Sequence, residues 1–578
     1  MTIDLRLHYL GARYVAGALT VRQVIDEVLK RIEAAGDDKV WINRVPDATL
    51  RAQADELDRR GRNGLPLFGI PFAVKDNIDV AGLPTTAGCP GFAYQPTDSS
   101  EVVKQLVAAG AIVIGKTNLD QFATGLVGMR LPYGVPRNPF NPDYIPGGSS
   151  SGSAVAVSSG LVTFALGTDT AGSGRVPAGF NNIVGWKPTP GLLSTAGVVP
   201  ACKSLDCVSV FALACVDAEA IRQTLAPEPK RTYGRGSFRF GVPEPLEFFG
   251  DAAYAKLYAK AFRKLVDMGG MPTKVDYAPF AEAAQLLYAG PWVAERTAAV
   301  GAFIEKADDS AGIWPTTRDI ILGGRKYSAV DAFEGQYKLK ELLAKAQQAM
   351  RDLDFLALPT AGTIYTLADL EREPVRYNSN LGHYTNFVNF FGLSALALPF
   401  GFRPDGLPFG ITLVGHPGAD AALLDFVAEW QRADPLPLGR TLHTLPPALP
   451  RVSIAVVGAH MDGLPLNEQL VTRGGKLEFA GTTAPHYRLY ALPGGLPHRP
   501  GLVRVADGGA AIDLEVWSLP PGTYGNFVET IPAPLGIGTI ELADGSTVQG
   551  FLCERYATAG ARDITNFGGW RAYLKSLG

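Results

Sequence analysis

Up to residue 432 the chain alternates short apolar runs with amphipathic helical stretches, a pattern that few architectures accommodate. Strands that are apolar throughout must be covered on both faces, so the alternation predicts an α/β core, a sheet layered by helices. Thr20 and Gln23 read as a capping box opening a helix whose apolar face is Val21, Val24, Ile25, Val28, Leu29 and Ile32. LPLFGIPFAVKDNIDV (65–80) reads as a buried strand interrupted by Lys75. EVVKQLVAAG (101–110) then reads as a helix and AIVIGK (111–116) as the next strand. Further strands are expected at 354–360, 393–400 and 409–415.

The texture changes at DPLPLGRTLHTLPPALPR (434–451), where Pro435, Pro437, Pro446, Pro447 and Pro450 predict a semi-rigid linker. Beyond it, strands and turns alternate with little helix, which predicts a smaller, mostly β domain. The expected organisation is therefore a first domain over 1–433, a linker over 434–452 and a second domain over 453–578. With 47% hydrophobic and 19% charged residues in 578, the chain has ample material for large cores, which excludes a disordered protein.

Lys+Arg 53 against Asp+Glu 56 gives a net charge of −3, so no basic surplus suggests a nucleic-acid partner. Asp4 and Arg6 stand where a signal peptide would need an apolar run. The apolar stretches fall short of the ~18–20 residues of a membrane span. A soluble, cytoplasmic protein is expected. The five cysteines form no CxxC pair and the seven histidines no HExxH, so neither a metal nor a cofactor is expected.

Three features carry chemistry. Lys75 lies in an otherwise apolar strand, where it either reaches for water or is desolvated and held neutral enough to act as a base. PGGSSSGSAVAVSSG (146–160) is a glycine/serine run without the GK[ST] of a phosphate-binding loop. Its Gly148-Ser149-Ser150-Ser151-Gly152 matches the G-x-S-x-G elbow, but Pro139, Pro142 and Pro146 forbid the strand that an elbow requires. In ALGTDTAGSGRVPA (165–178) an apolar strand opens into a tight turn presenting Ser173, and Ala171 and Gly172 are small enough for backbone N–H groups to converge as an oxyanion hole.

Together these residues resemble the amidase signature family over roughly residues 20–432: Ser173 follows Ser149 by 24 positions, with Lys75 upstream. The resemblance implies that family's fold, with Ser173 as nucleophile, Ser149 as bridging serine in a cis peptide and Lys75 as general base. It also implies an oxyanion hole formed by the N–H groups of Thr170, Ala171, Gly172 and Ser173.

Arg175 and Arg296 suit bidentate recognition of a carboxylate, or are ion-paired arginines of the fold. Gly125 either admits substrate to the backbone or only turns the chain. The chain as a whole resembles the allophanate hydrolase branch, in which residues at the positions of Tyr288 and Arg296 hold the substrate, allophanate. That resemblance implies a C-terminal domain similar to cyclotransferase-like β folds that decarboxylates the first product, with His460 the candidate base. It further implies a homodimer and a functional link to urea carboxylase on a separate chain. The alternative is another amidase, or one subunit of a tRNA amidotransferase, whose C-terminal domain only binds or dimerises.

Overall fold

The computed structural model describes residues 3–130, 132–227, 237–433, 436–441, 444, 451–494 and 498–577. The chain forms two compact units, Met1–Pro446 and Pro447–Gly578. Most of the linker expected over 434–452 lies outside the described residues.

The first unit is built on an 11-stranded mixed sheet. From edge to edge it runs through Trp41–Arg44, Ile112–Thr117, Pro71–Lys75, Phe164–Asp169, Cys207–Ala212, Val184–Lys187, Ser394–Phe402, Pro408–Gly415, Phe355–Pro359, Phe238–Glu244 and Gly270–Asp276. Pro71–Lys75 is parallel to both neighbours and buried at every position, Lys75 included, as the apolar residues that precede the lysine require. The strand is shorter than the 65–80 run suggested: residues 65–70 are turn, and the chain turns again after Lys75. The helix Val21–Ala35 carries the Thr20/Gln23 capping box and buries the six residues of its predicted face.

The glycine/serine run is no loose loop. Ser151–Ser158 is a helix buried at every residue, whose small side chains permit close contact. A Cβ on Gly152 would lie 2.6 Å from the Val40 carbonyl oxygen. Ser153 Oγ donates to the Leu166 carbonyl on the strand beneath, at 2.8 Å.

The second unit holds a five-stranded sheet, ordered Lys476–Thr482, Asp513–Leu519, Val452–Val456, Thr547–Cys553, Leu535–Glu541. A three-stranded sheet of Pro500–Arg504, Tyr487–Ala491 and Arg562–Asp563 accompanies it. Among the described residues no helix is long and apolar enough to cross a membrane.

Candidate active site

Two parallel strands and the turns at their C-terminal ends assemble the site. Lys75 ends one strand and Thr168 lies one residue short of the end of its neighbour, with Val74 in register with Leu166. The Lys75 ammonium group is fully buried and donates to Ser149 Oγ at 2.7 Å and to Thr168 Oγ1 at 2.8 Å. Asn77 Nδ2 also donates to Thr168 Oγ1, at 3.3 Å. Burial pushes the Lys75 pKa down to about 7, against the opposing pull of Asp120, Asp169 and Asp206. At neutral pH a substantial fraction of Lys75 is therefore an amine with a free lone pair.

Ser149 follows the cis peptide Gly148-Ser149. Its carbonyl accepts from the Asp120 N–H at 3.0 Å, and the Asp120 carboxylate in turn accepts four backbone N–H groups, those of Val127, Gly128, Met129 and Arg130, at 2.9–3.1 Å. A Cβ on Gly148 would lie 2.1 Å from Asp120 Oδ2, so glycine alone lets this loop close over the serine.

Ser173 is 2% exposed, in the turn that leaves the strand Phe164–Asp169. Asp169 holds that turn from inside: its carboxylate accepts from the Gly172 N–H at 2.9 Å and the Gly174 N–H at 3.0 Å. Thr385 Oγ1 donates to the Ala171 carbonyl at 2.6 Å, and Gly172, at φ +128°, leaves no room for a Cβ beside it. Among the described residues the N–H groups of Thr170, Ala171 and Ser173 meet no protein acceptor. The expectation for Gly172 needs correction: its N–H donates to Asp169, which leaves the other three of the four expected N–H groups without a protein acceptor.

Of its two expected roles, Arg175 takes that of an ion-paired arginine of the fold. It is fully buried, paired through Nε and Nη2 with both Asp169 oxygens at 2.9 Å, and it donates further to the Thr385 carbonyl and Asn389 Oδ1. Burial disfavours the Asp169 charge, but the Arg175 guanidinium overcomes this and holds the carboxylate below its usual range. With its donors so engaged, Arg175 supports the turn that carries Ser173 and has no arm left for a substrate carboxylate.

Arg296 presents the opposite case. It is 1% exposed, yet its partners are neutral: the Ala123 carbonyl at 3.3 Å, Thr124 Oγ1 at 3.0 Å and Tyr288 Oη at 3.3 Å. The guanidinium lies 5.1 Å from the Tyr288 ring centroid, and its buried Nε has no partner among the described residues. Asp206 and Glu295 act on its charge without touching it, and a buried cation with no carboxylate in contact gains from a ligand that supplies one. Gly125 follows Thr124 at φ +152°, and a Cβ there would lie 2.9 Å from Asp120 Oδ2. Its glycine is thus required by the Asp120 loop, whatever approaches it.

His460 lies in the C-terminal unit, half-buried, with Nε2 3.1 Å from Gln469 Oε1. Among the described residues no group of three or more His, Cys, Asp or Glu side chains is arranged to hold a metal. Thr168, Asp120, Asp169 and Asn389 were not among the residues singled out from sequence. The detectable signal was an acid set just before small residues, Asp120 ahead of Gly125 and Gly128, and Asp169 ahead of Ala171 and Gly172.

The amidase family model matches residues 23–424, and that of the allophanate hydrolase C-terminal domain matches 452–575. The urea amidolyase of Saccharomyces cerevisiae is 43% identical over 96% of this chain but only 32% of its own. The chain thus spans about a third of the length of the curated urea amidolyases it matches. The solved Kluyveromyces lactis allophanate hydrolase shares 42% identity with a TM-score of 0.74, covering 100% of both chains. A glutamyl-tRNA(Gln) amidotransferase subunit of Chloroflexus aurantiacus is 32% identical over 73% of this chain and 95% of its own.

Proposed function

The chain belongs to the amidase family, and on that premise we propose that it hydrolyses allophanate to ammonia and N-carboxycarbamate through Lys75, Ser149 and Ser173. The observation that carries the reading is the buried Lys75 Nζ, 2.7 Å from Ser149 Oγ with a pKa of about 7. A hydroxyl is a weak nucleophile until a base takes its proton. Neutral Lys75 takes the proton of Ser149 as Ser149 takes that of Ser173, and Ser173 Oγ attacks the terminal amide carbon. The N–H groups of Thr170, Ala171 and Ser173 stabilise the oxyanion, each donor of this kind being worth about 10²–10³ in rate. Reversing the relay protonates the departing ammonia, and water then clears the acyl-enzyme by the same route.

The substrate assignment is supported by Arg296, a buried cation whose direct partners are all neutral, which suits a small anionic amide. Tyr288 would orient that guanidinium. The C-terminal domain is proposed to remove carbon dioxide from N-carboxycarbamate with His460 as its proton carrier. A cytoplasmic homodimer supplied with allophanate by a urea carboxylase completes the reading. The match to a C-terminal allophanate hydrolase domain favours it over tRNA amidation, since the Chloroflexus amidotransferase subunits align with 73–74% of the chain. Ammonia release from allophanate, malonamate, biuret and urea tests it: allophanate is expected to be turned over best, and a preference for an uncharged amide would contradict the assignment.

A further inference from the structure

Beside Tyr288 the first unit contains a cavity of about 180 Å³. Among its walls Arg130 and Asn378 are buried while Asp319 and Lys326 are exposed, so it runs inward from the surface. Tyr288 is shared with the site above: it lines the cavity, and its hydroxyl accepts from Arg296 Nη2 at 3.3 Å. Asp206 acts on Arg296 through space, and its carboxylate accepts from Thr170 Oγ1 in the turn that carries Ser173. The cavity therefore leads toward that turn.

Its inner walls are rich in donors. Arg130 is 3% exposed, with Nη1 on the Thr124 carbonyl at 2.9 Å and Nη2 on the Pro374 carbonyl at 3.0 Å. A guanidinium carries five N–H donors, so these two bonds do not exhaust it. Asp120 acts on the Arg130 charge without touching it, its own oxygens being taken by four backbone N–H groups. Arg296 acts on Arg130 as a like charge. Asn378 Oδ1 accepts from the Leu126 N–H at 2.8 Å, and its Nδ2 meets no protein acceptor among the described residues. The one carboxylate in the wall among the described residues, Asp319, is at the exposed end. Two buried like charges beside one tyrosine are both relieved by an anion that comes between them.

We infer that this cavity is the path by which substrate reaches Ser173, and that Arg130 is a specificity residue on it, the first fixed cation an anionic amide meets before Arg296. The ligand it holds in passage is a small monocarboxylate. That group takes the remaining N–H donors of Arg130 and the Asn378 amide, then moves on to Arg296. An uncharged amide follows the same path without that hold. That the anion is allophanate rests on the reading above; the path does not.

Gly323 supplies the test of the path. It lines the cavity at φ −57°, and a Cβ there would meet nothing within 4 Å, so a larger side chain fills open space without a clash at its root. In the full chain, kcat/KM is measured for allophanate, malonamate and the uncharged malonamide, alongside thermal unfolding of each variant. The loss is expected to grow from Gly323→Ala through Gly323→Leu to Gly323→Trp, to reach about tenfold or more in the last, and to be alike for all three amides. Arg130→Gln is expected to lower kcat/KM about tenfold for the two anions only. Lys326→Glu, a surface change that spares the fold, is expected to do so by a smaller factor that fades at about 1 M salt, where screening acts beyond about 3 Å. A folded Gly323→Trp with parental kcat/KM on every amide overturns the path. Equal losses on charged and uncharged amides in Arg130→Gln, with no effect of Lys326→Glu, overturn Arg130 as a specificity residue. If the parent leaves allophanate untouched while the Gly323 series still grades malonamide hydrolysis, the path stands and the allophanate reading falls.

Discussion

Arg175 and Asp169 form a fully buried two-armed ion pair, and the same carboxylate accepts the N–H groups on either side of Ser173. The pair therefore ties the Ser173 turn to the end of its strand. Removing one partner of a buried pair costs about 3–5 kcal/mol. Arg175→Met is expected to lower the unfolding midpoint and to reduce turnover of charged and uncharged amides alike. Thermal unfolding alongside assays on allophanate and a neutral amide checks this. A normal midpoint with a loss confined to allophanate would restore Arg175 to substrate binding.

Lys75 predicts a pH profile. With its folded pKa near 7, kcat/KM for allophanate should rise through about pH 7 and then level off. Lys75→Arg should be inactive, since a guanidinium stays protonated below a pKa of about 12. Stability should respond to the same group. An unfolded lysine holds its proton up to about 10.5, whereas the folded one releases it near 7, so the unfolded state binds more protons between these values. Raising the pH across that window should stabilise the parent, and Lys75→Met should flatten that slope in denaturant titrations at several pH values. An active arginine variant would remove Lys75 as the base.

Arg296→Ala should produce a defect that depends on substrate charge. A hydrogen bond between charged partners is worth about 1.5–3 kcal/mol, so KM for allophanate should rise by about ten- to a hundredfold. A neutral amide should be hydrolysed about as well as by the parent. Equal losses on both substrates would assign Arg296 to the fold alone.

His460→Gln tests the second step in isolation, because Lys75, Ser149 and Ser173 all lie in the other unit. Release of the first ammonia should be unchanged, while labelled N-carboxycarbamate should persist longer in carbon-13 NMR. Time courses that match the parent would discard His460 as proton carrier.

Much of this site was legible from sequence because its constraints are local. Lys75 stands out against an apolar strand, and the 146–160 run is small at almost every position because it packs as a buried helix. The residues left open or read differently were those whose partners are distant or ambiguous. Arg175 could serve a substrate or an acid, and only the fold brings its Nη1 to the carbonyl of Thr385, 210 positions away. The Gly172 N–H looked available until the Asp169 side chain folded back three residues to accept it. Thr168 went unremarked because a threonine at a strand end is common, and its role comes only from the register that sets it beside Lys75.

The central claim is that Ser173, activated through Ser149 by Lys75, opens the amide of allophanate. The direct measurement is ammonia released from allophanate by purified parent and Ser173→Ala, with the two shown by circular dichroism and thermal unfolding to be equally folded. The account predicts that the alanine variant loses at least about 10³-fold in kcat while its fold is unchanged. Ammonia release at the parental rate by a folded Ser173→Ala would contradict it.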